Sequence, residues 1–253
     1  MTCIVDVRGN GPDLVLLHGW GFGSNVWNGI VDGLAGNFRV SLVELPGYPR
    51  NRVNGSKGFD DILESLALEL PKDSHLLGWS LGGMFALALA RRLPGRFGKG
   101  VFVSTNLRFT ACDGWSAAMQ AETLEAFQDS LRKDVAATLQ RFSALAARGS
   151  AAGFAEMRYF RQQLRERGLP DVDTLAQGLA MLEKIDLRTP ESASDSEMLF
   201  IYGDNDALTP ARVAADIRLL LPDARTVTFR SAGHAPFLAY RQKFIDIVTD
   251  FLA

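Results

Sequence analysis

Cysteine and histidine are scarce in this chain, at two and three residues in 253. Cys3 and Cys112 stand far apart, in no metal-binding or redox spacing, which excludes a disulfide scaffold and a cysteine-ligated metal centre. They read as two free thiols of a reducing compartment, hence the cytoplasm. Neither sign of charge prevails, with 27 Lys+Arg against 29 Asp+Glu, whereas a protein that binds nucleic acid by neutralising phosphate would carry a basic surplus. Long apolar runs are missing too. The longest, Leu76 to Ala90, falls short of the roughly 20 residues that cross a bilayer and contains Ser80 and several glycines. Near Met1, Asp6 and Arg8 interrupt any export-signal core. What is present, 47% hydrophobic and 22% charged residues, is the composition of a soluble globular chain with a sizeable core. A monomer is expected.

Short β-branched or Leu-rich runs alternate with longer amphipathic ones, the pattern of βα units feeding a parallel sheet. Strands are predicted at Cys3 to Val7, Leu14 to His18, Phe38 to Val43, His75 to Gly78 and Gly100 to Ser104. Helices are predicted at Val26 to Leu34, Asp60 to Leu70 and Leu81 to Arg92. The alternation then stops. Val135, Leu139, Phe142 and Leu145, then Met157, Phe160 and Leu164, then Leu175, Leu179 and Leu182 recur at helical spacing. An all-helical insertion is therefore expected over 112–187, inside an α/β core formed by 1–111 and 188–253. Strands resume at Met198 to Tyr202 and Thr226 to Phe229, with helices at Arg212 to Leu220 and Arg241 to Leu252. Gly47 to Gly58, rich in turn residues, is expected to be the most mobile loop of the core.

Gly78-Trp79-Ser80-Leu81-Gly82 lies between a strand and an apolar helix, the context of a nucleophile elbow. A nucleophile there stands on a tight turn at the carboxyl edge of the sheet, and the following helix must approach so closely that side chains at Gly78 and Gly82 would collide. The bland alternative is a glycine-rich turn with an incidental serine. A serine hydroxyl needs a base, and the base needs an orienting acid. His75 leads into the elbow strand and reads as structural, and His18 reads as holding a turn. His234, at a turn after the final strand, is the candidate base. For the acid, Asp206 precedes a helix begun by Pro210, whereas Asp204 abuts its strand and is expected to make a local turn bond. The order Ser80, Asp206, His234 is that of α/β-hydrolases. The backbone N–H groups of Leu81 and of Trp20, in His18-Gly19-Trp20-Gly21, are the candidate oxyanion donors.

With these residues in place, the chain resembles the pimeloyl-[acyl-carrier protein] methyl ester esterases of biotin synthesis. The resemblance rests on Leu16 to Gly21 with Val26-Trp27, on Leu77 to Gly83 and on His234-Ala235-Pro236-Phe237. Within the insertion it rests on Arg141-Phe142, Ala144-Leu145, Pro170 to Asp173, Gly178-Leu179 and Ile185 to Arg188. It implies an α/β-hydrolase fold with a helical lid and hydrolysis of a methyl ester on a pimeloyl chain borne by acyl carrier protein, with no metal or organic cofactor. It also implies an apolar channel lined by Trp20, Leu81, Phe142, Ser143, Ala144, Leu145 and Ala146. Phe142 equally suits packing of the lid's own core.

Six arginines (Arg141, Arg148, Arg158, Arg161, Arg165, Arg167) stand among two glutamates (Glu156, Glu166) in the lid, and Arg158, Arg161 and Arg165 share one helix face. An acidic carrier could dock there, or the face could simply be solvated. By resemblance Arg141 and Arg158 contact the carrier, while Ala137 and Phe154 stand where the family has other residues, with Arg148 or Arg161 as substitutes. Two further readings stay open. One is a general short-chain carboxylesterase or lactonase on the same scaffold. The other is a binding protein of this fold without turnover.

Overall fold

A computed structural model describes residues 3–53, 57–189 and 196–253. Its sheet comprises β1 (Ile4–Arg8), β2 (Asp13–Leu17), β3 (Arg39–Val43), β4 (His75–Trp79), β5 (Gly100–Val103), β6 (Met198–Gly203) and β7 (Arg225–Phe229). The strand order is β1-β3-β2-β4-β5-β6-β7. β1 runs antiparallel to β3 and every other pair is parallel. The inner strands β2, β4, β5 and β6 are buried almost end to end, which is why they read as continuous apolar runs rather than alternating ones. The edge strands β1 and β7 are only half-buried.

The helices are α1 (Val31–Leu34), α2 (Phe59–Glu69), α3 (Leu81–Arg92), α4 (Ala121–Lys133), α5 (Val135–Ala146), α6 (Gly153–Arg167), α7 (Val172–Lys184), α8 (Val213–Leu220), α9 (Pro236–Ala239) and α10 (Arg241–Leu252). Between β5 and β6 the described residues form only α4 to α7 and a few isolated bridges, such as Arg108 with Asp186. The helical character expected there is therefore present.

One local expectation needs correction. The single helix predicted over Val26 to Leu34 is a 3-10 turn, Ser24–Gly29, followed by the one-turn α1. Tyr159 of α6 competes for its backbone groups: the Gly29 N–H donates to Tyr159 Oη at 3.0 Å, and Tyr159 Oη donates to the Val26 carbonyl at 3.1 Å. The short α9, started by Pro236, has no periodicity to announce it. As for the Gly47 to Gly58 loop, its first part is tied down, the Gly47 N–H donating to the Asn51 carbonyl at 2.9 Å. Residues 54–56 lie outside the described residues.

The topology places the site. From β2 the chain adds β3 on one side, then returns through α2 to lay β4 on the other. At such a reversal the connections leave in opposite directions and open a crevice at the carboxyl ends of the strands. His18-Gly19-Trp20 follows β2 and Ser80 follows β4, so both border that crevice.

Glycine sets how closely α3 packs there. A Cβ on Gly78 would lie 2.5 Å from the Gly82 carbonyl oxygen, and one on Gly82 would lie 2.3 Å from the His18 carbonyl oxygen. Gly82→Ala is expected to push α3 off β2, costing about 2 kcal/mol or more. Thermal unfolding should register it as a fall of several degrees. Gly36→Ala, whose nearest neighbour would be 3.4 Å away, should leave the melting temperature nearly unchanged.

Candidate active site

Ser80 occupies a backbone conformation that L-residues avoid, with φ 54° and ψ −118°. Conformations of this kind cost about 1–3 kcal/mol and persist only where the surroundings over-determine them. Here the Ser80 N–H donates to the Val103 carbonyl at 2.9 Å, and the Ser80 carbonyl accepts from the Met84 N–H at 3.1 Å. The side chain is thereby held out of both the strand and the helix. As the first residue of α3, Leu81 has an N–H that no earlier carbonyl of the helix can accept, and it points with the helix's positive end.

Asp206 and His234 come from the turns after β6 and β7, and both are buried. Asp206 Oδ1 accepts the N–H groups of Leu208 at 2.8 Å and Thr209 at 2.9 Å. Its Oδ2 lies 2.8 Å from His234 Nδ1. A carboxylate can only accept, so the ring proton sits on Nδ1 and the lone pair of Nε2 is left facing inward. His234 Nε2 and Ser80 Oγ are both buried without a hydrogen-bond partner. The hydroxyl-to-imidazole bond is therefore not made in this structure, a looseness common in unliganded hydrolases.

The residue preceding the elbow serine nevertheless grips the histidine. Trp79 Nε1 donates to the His234 carbonyl at 2.8 Å, and the two rings are 5.5 Å apart. From the other side the His234 N–H donates to the Ala146 carbonyl at the end of α5, also at 2.8 Å. Neither contact has a sequence signal, since a buried tryptophan and a helix-terminal carbonyl look like ordinary core and ordinary helix. Asp204 departs from its expected local turn bond. Its Oδ1 accepts the Ala232 N–H at 3.3 Å, joining the two loops that carry Asp206 and His234.

Trp20 is fully buried, its indole N–H donating to the Leu175 carbonyl on α7 at 2.8 Å. Its ring meets Phe142 at 5.0 Å and Phe127 at 6.3 Å. Phe142 in turn presents its edge to His234 at 6.2 Å, so it both packs the insertion and borders the imidazole. The stretch from 142 to 146 does not share one surface, because a helix turns 100° per residue. Phe142, Ser143 and Ala146 are buried, Leu145 is partly so, and Ala144 is exposed on the far side. Ser143 Oγ is engaged with the Leu139 carbonyl at 2.8 Å. The other two histidines serve structure, with His75 Nδ1 accepting the Lys99 N–H at 3.0 Å and His18 Nε2 accepting the Leu45 N–H at 3.0 Å. Both cysteines are free, and burial pushes the Cys3 thiol up to about 12.

Arg158, Arg161 and Arg165 are exposed and line one groove along α6 with Met157 and Phe154, which is 85% exposed. Arg141 is also exposed, its guanidinium stacked over the Phe127 ring at 5.3 Å.

Residues 14–247 match the model of the Alpha/beta hydrolase family. Over the full length of both chains, the sequence is 38% identical to the pimeloyl-[acyl-carrier protein] methyl ester esterase of Aeromonas hydrophila subsp. hydrophila. It is 37% identical to the enzyme of the same name from Nitrosomonas europaea, covering 95% of this chain and 96% of that one. The chain belongs to the pimeloyl-[acyl-carrier protein] methyl ester esterase family. Among solved structures, this family member superposes on an esterase from Exiguobacterium antarcticum with a TM-score of 0.86 at 20% identity, covering 98% of this chain and 94% of that one. A bromoperoxidase from Bacillus anthracis gives the same TM-score, identity and coverage. At that identity the likeness speaks for the α/β-hydrolase fold alone.

In this esterase-family chain the insertion holds one further buried acid. Glu156, on α6, accepts Ser150 Oγ at 2.7 Å, while its other oxygen has no partner. Burial pushes its carboxyl up to about 7. A carboxyl whose folded pKa is raised stabilises the fold below its unfolded value near 4.5, and that contribution is lost as pH rises through about 7. Glu156→Gln, which mimics the protonated form, should therefore melt several degrees above the parent at pH 8 and at the parent temperature near pH 4. Paired thermal scans across that range check the sign.

Proposed function

We propose that this chain is a serine carboxylesterase that hydrolyses the methyl ester of pimeloyl-[acyl-carrier protein], releasing methanol and the free pimeloyl carboxylate for biotin synthesis in the cytoplasm. One observation carries the reading: a buried Asp206–His234 pair with an unpartnered Nε2, held by Trp79, the neighbour of the buried and unpartnered Ser80 hydroxyl, in a chain similar throughout to esterases of that name.

Ser80 is the nucleophile. As its side chain turns toward the ring, His234 Nε2 takes the hydroxyl proton and Oγ attacks the ester carbonyl. The backbone N–H groups of Trp20 and Leu81 receive the oxyanion, each worth about 10²- to 10³-fold in rate. Asp206 keeps the imidazole in its Nδ1–H tautomer and stabilises the imidazolium. The collapsing intermediate expels methoxide, which leaves as methanol with the proton from Nε2. Water then enters, gives its proton to His234 and cleaves the acyl-serine, and Ser80 recovers its proton.

The helices from α4 to α7 act as the lid, dividing the chain into a core of 1–111 and 188–253 and a lid of 112–187. Trp20, Leu81, Phe142 and Ala146 border the pimeloyl chain. Exclusion of water from so buried a site strengthens every charge interaction in it. Arg141, Arg158 and Arg161 form a basic rim for the acidic carrier, and Arg148 extends it. The protein acts as a monomer.

Ser80→Ala should fold normally and lose at least about 10⁴-fold in turnover. Mass spectrometry of the carrier-linked methyl ester should show removal of one methyl group by the parent and none by the variant. Cleavage of small free esters with no action on the carrier-linked one would favour the general esterase instead. Arg158→Glu should lower kcat/KM for the carrier-linked ester about tenfold and spare small esters, since rim charges act mainly on encounter. Equal losses on both substrates would remove the carrier from this surface.

A further inference from the structure

The oxyanion turn, from His18 to Ser24, is held by side chains rather than by a regular ladder. The Gly19 carbonyl and the Trp20 N–H belong to one planar peptide unit, so whatever anchors the first aims the second. His18 is buried, and a backbone N–H can only donate. Because Nε2 accepts from Leu45, Nδ1 carries the proton and donates to the Gly19 carbonyl at 3.0 Å. The next peptide unit is held as well, for the Gly21 N–H donates to Tyr48 Oη at 3.0 Å. Gly21 itself has φ 79°, a conformation that only such anchoring and a glycine make cheap. Tyr48 packs edge-on against the His18 ring at 4.5 Å, so one side chain supports both anchors.

Beneath this lies a buried carboxylate. Glu44 Oε2 accepts the Ser24 N–H at 2.6 Å, and Oε1 accepts the Arg50 N–H at 3.4 Å. It thereby ties the far end of the oxyanion turn to the loop that carries Tyr48. A Cβ on Gly23 would stand 2.8 Å from Glu44 Oε1, so backbone and carboxylate are in direct contact.

We infer that Tyr48 is a positioning residue for the Trp20 oxyanion donor, with Glu44 bracing the turn from below. The inference rests on the assignment of Trp20 N–H as that donor. Tyr48 touches no reacting atom, and its effect passes through the peptide units on either side of Trp20. In Tyr48→Phe the ring and its packing remain while the Gly21 N–H, buried, loses its acceptor. The turn then relaxes, and a donor displaced by a fraction of an ångström serves the transition state poorly while leaving ground-state binding alone.

The test uses the full chain with p-nitrophenyl acetate, which carries neither pimeloyl chain nor carrier. Failure of the carrier-ester reading therefore leaves it intact. Tyr48→Phe is expected to lower kcat about 10- to 100-fold with KM within about twofold of the parent. A trifluoromethyl ketone, which forms an oxyanion on Ser80, should bind more weakly by a similar factor. Glu44→Gln, which keeps the shape of the carboxylate, should show the same split to a smaller degree. Unchanged kcat in Tyr48→Phe, or a loss of turnover with undiminished affinity for the ketone, would overturn the inference. So would a loss expressed equally in KM, which a merely loosened structure would give.

Discussion

The closeness of α3 to the sheet is the contact on which the rest of the site depends. Gly82 lets the first turn of the helix reach the carbonyls that end β2, and Gly78 lets the strand leave toward it without a side chain between them. The connection left between strand and helix is then too short for relaxed dihedrals, and Ser80 takes the strain at φ 54°. Two backbone hydrogen bonds hold it there. From this single constraint follow a hydroxyl held out of both strand and helix, an N–H at Leu81 with no carbonyl to bond, and the proximity of the turn after β2 to that N–H. The strain is stabilised by the core as a whole, since β4 and α3 are buried along nearly their entire length.

The helical insertion is joined to the core at the site itself rather than resting over it. Trp20 is anchored to α7, and His234 to the last carbonyl of α5. Phe142 bridges the two by packing on the tryptophan and reaching the imidazole. Movement of α5 is consequently coupled to the position of His234, because one helix supplies both the ring that borders the imidazole and a hydrogen bond to the histidine backbone. The buried Glu156 sits in the same segment, one turn into α6, where one of its oxygens has no partner and burial raises its carboxyl.

Local signals made much of this legible in advance. The glycine spacing around Ser80, the position of Asp206 ahead of Pro210 and the turn at His234 each reflect chemistry within a few residues. The strands were readable because a doubly covered sheet demands unbroken apolar runs. Where reading failed, a distant partner had intervened. Val26 to Leu34 has helical periodicity, but Tyr159 of α6 engages the Gly29 N–H and the Val26 carbonyl, backbone groups that a continuous helix would pair itself. Glu44 did carry a faint signal, an isolated acid ending an apolar strand, yet nothing nearby tells that it braces a turn some twenty positions earlier.

The amino-acid order alone therefore determined which hydroxyl, imidazole and carboxylate were available, since each is marked by the backbone its immediate neighbours impose. Tertiary structure alone decided what holds each of them in place. It chose the ring nitrogen of His234 that carries the proton, set Trp79 against the histidine backbone and aimed the peptide of Trp20 through His18 and Tyr48. Such contacts join positions up to 155 residues apart, and no local periodicity can encode them. They exist only once the sheet order has brought the ends of β2, β4, β6 and β7 to one edge.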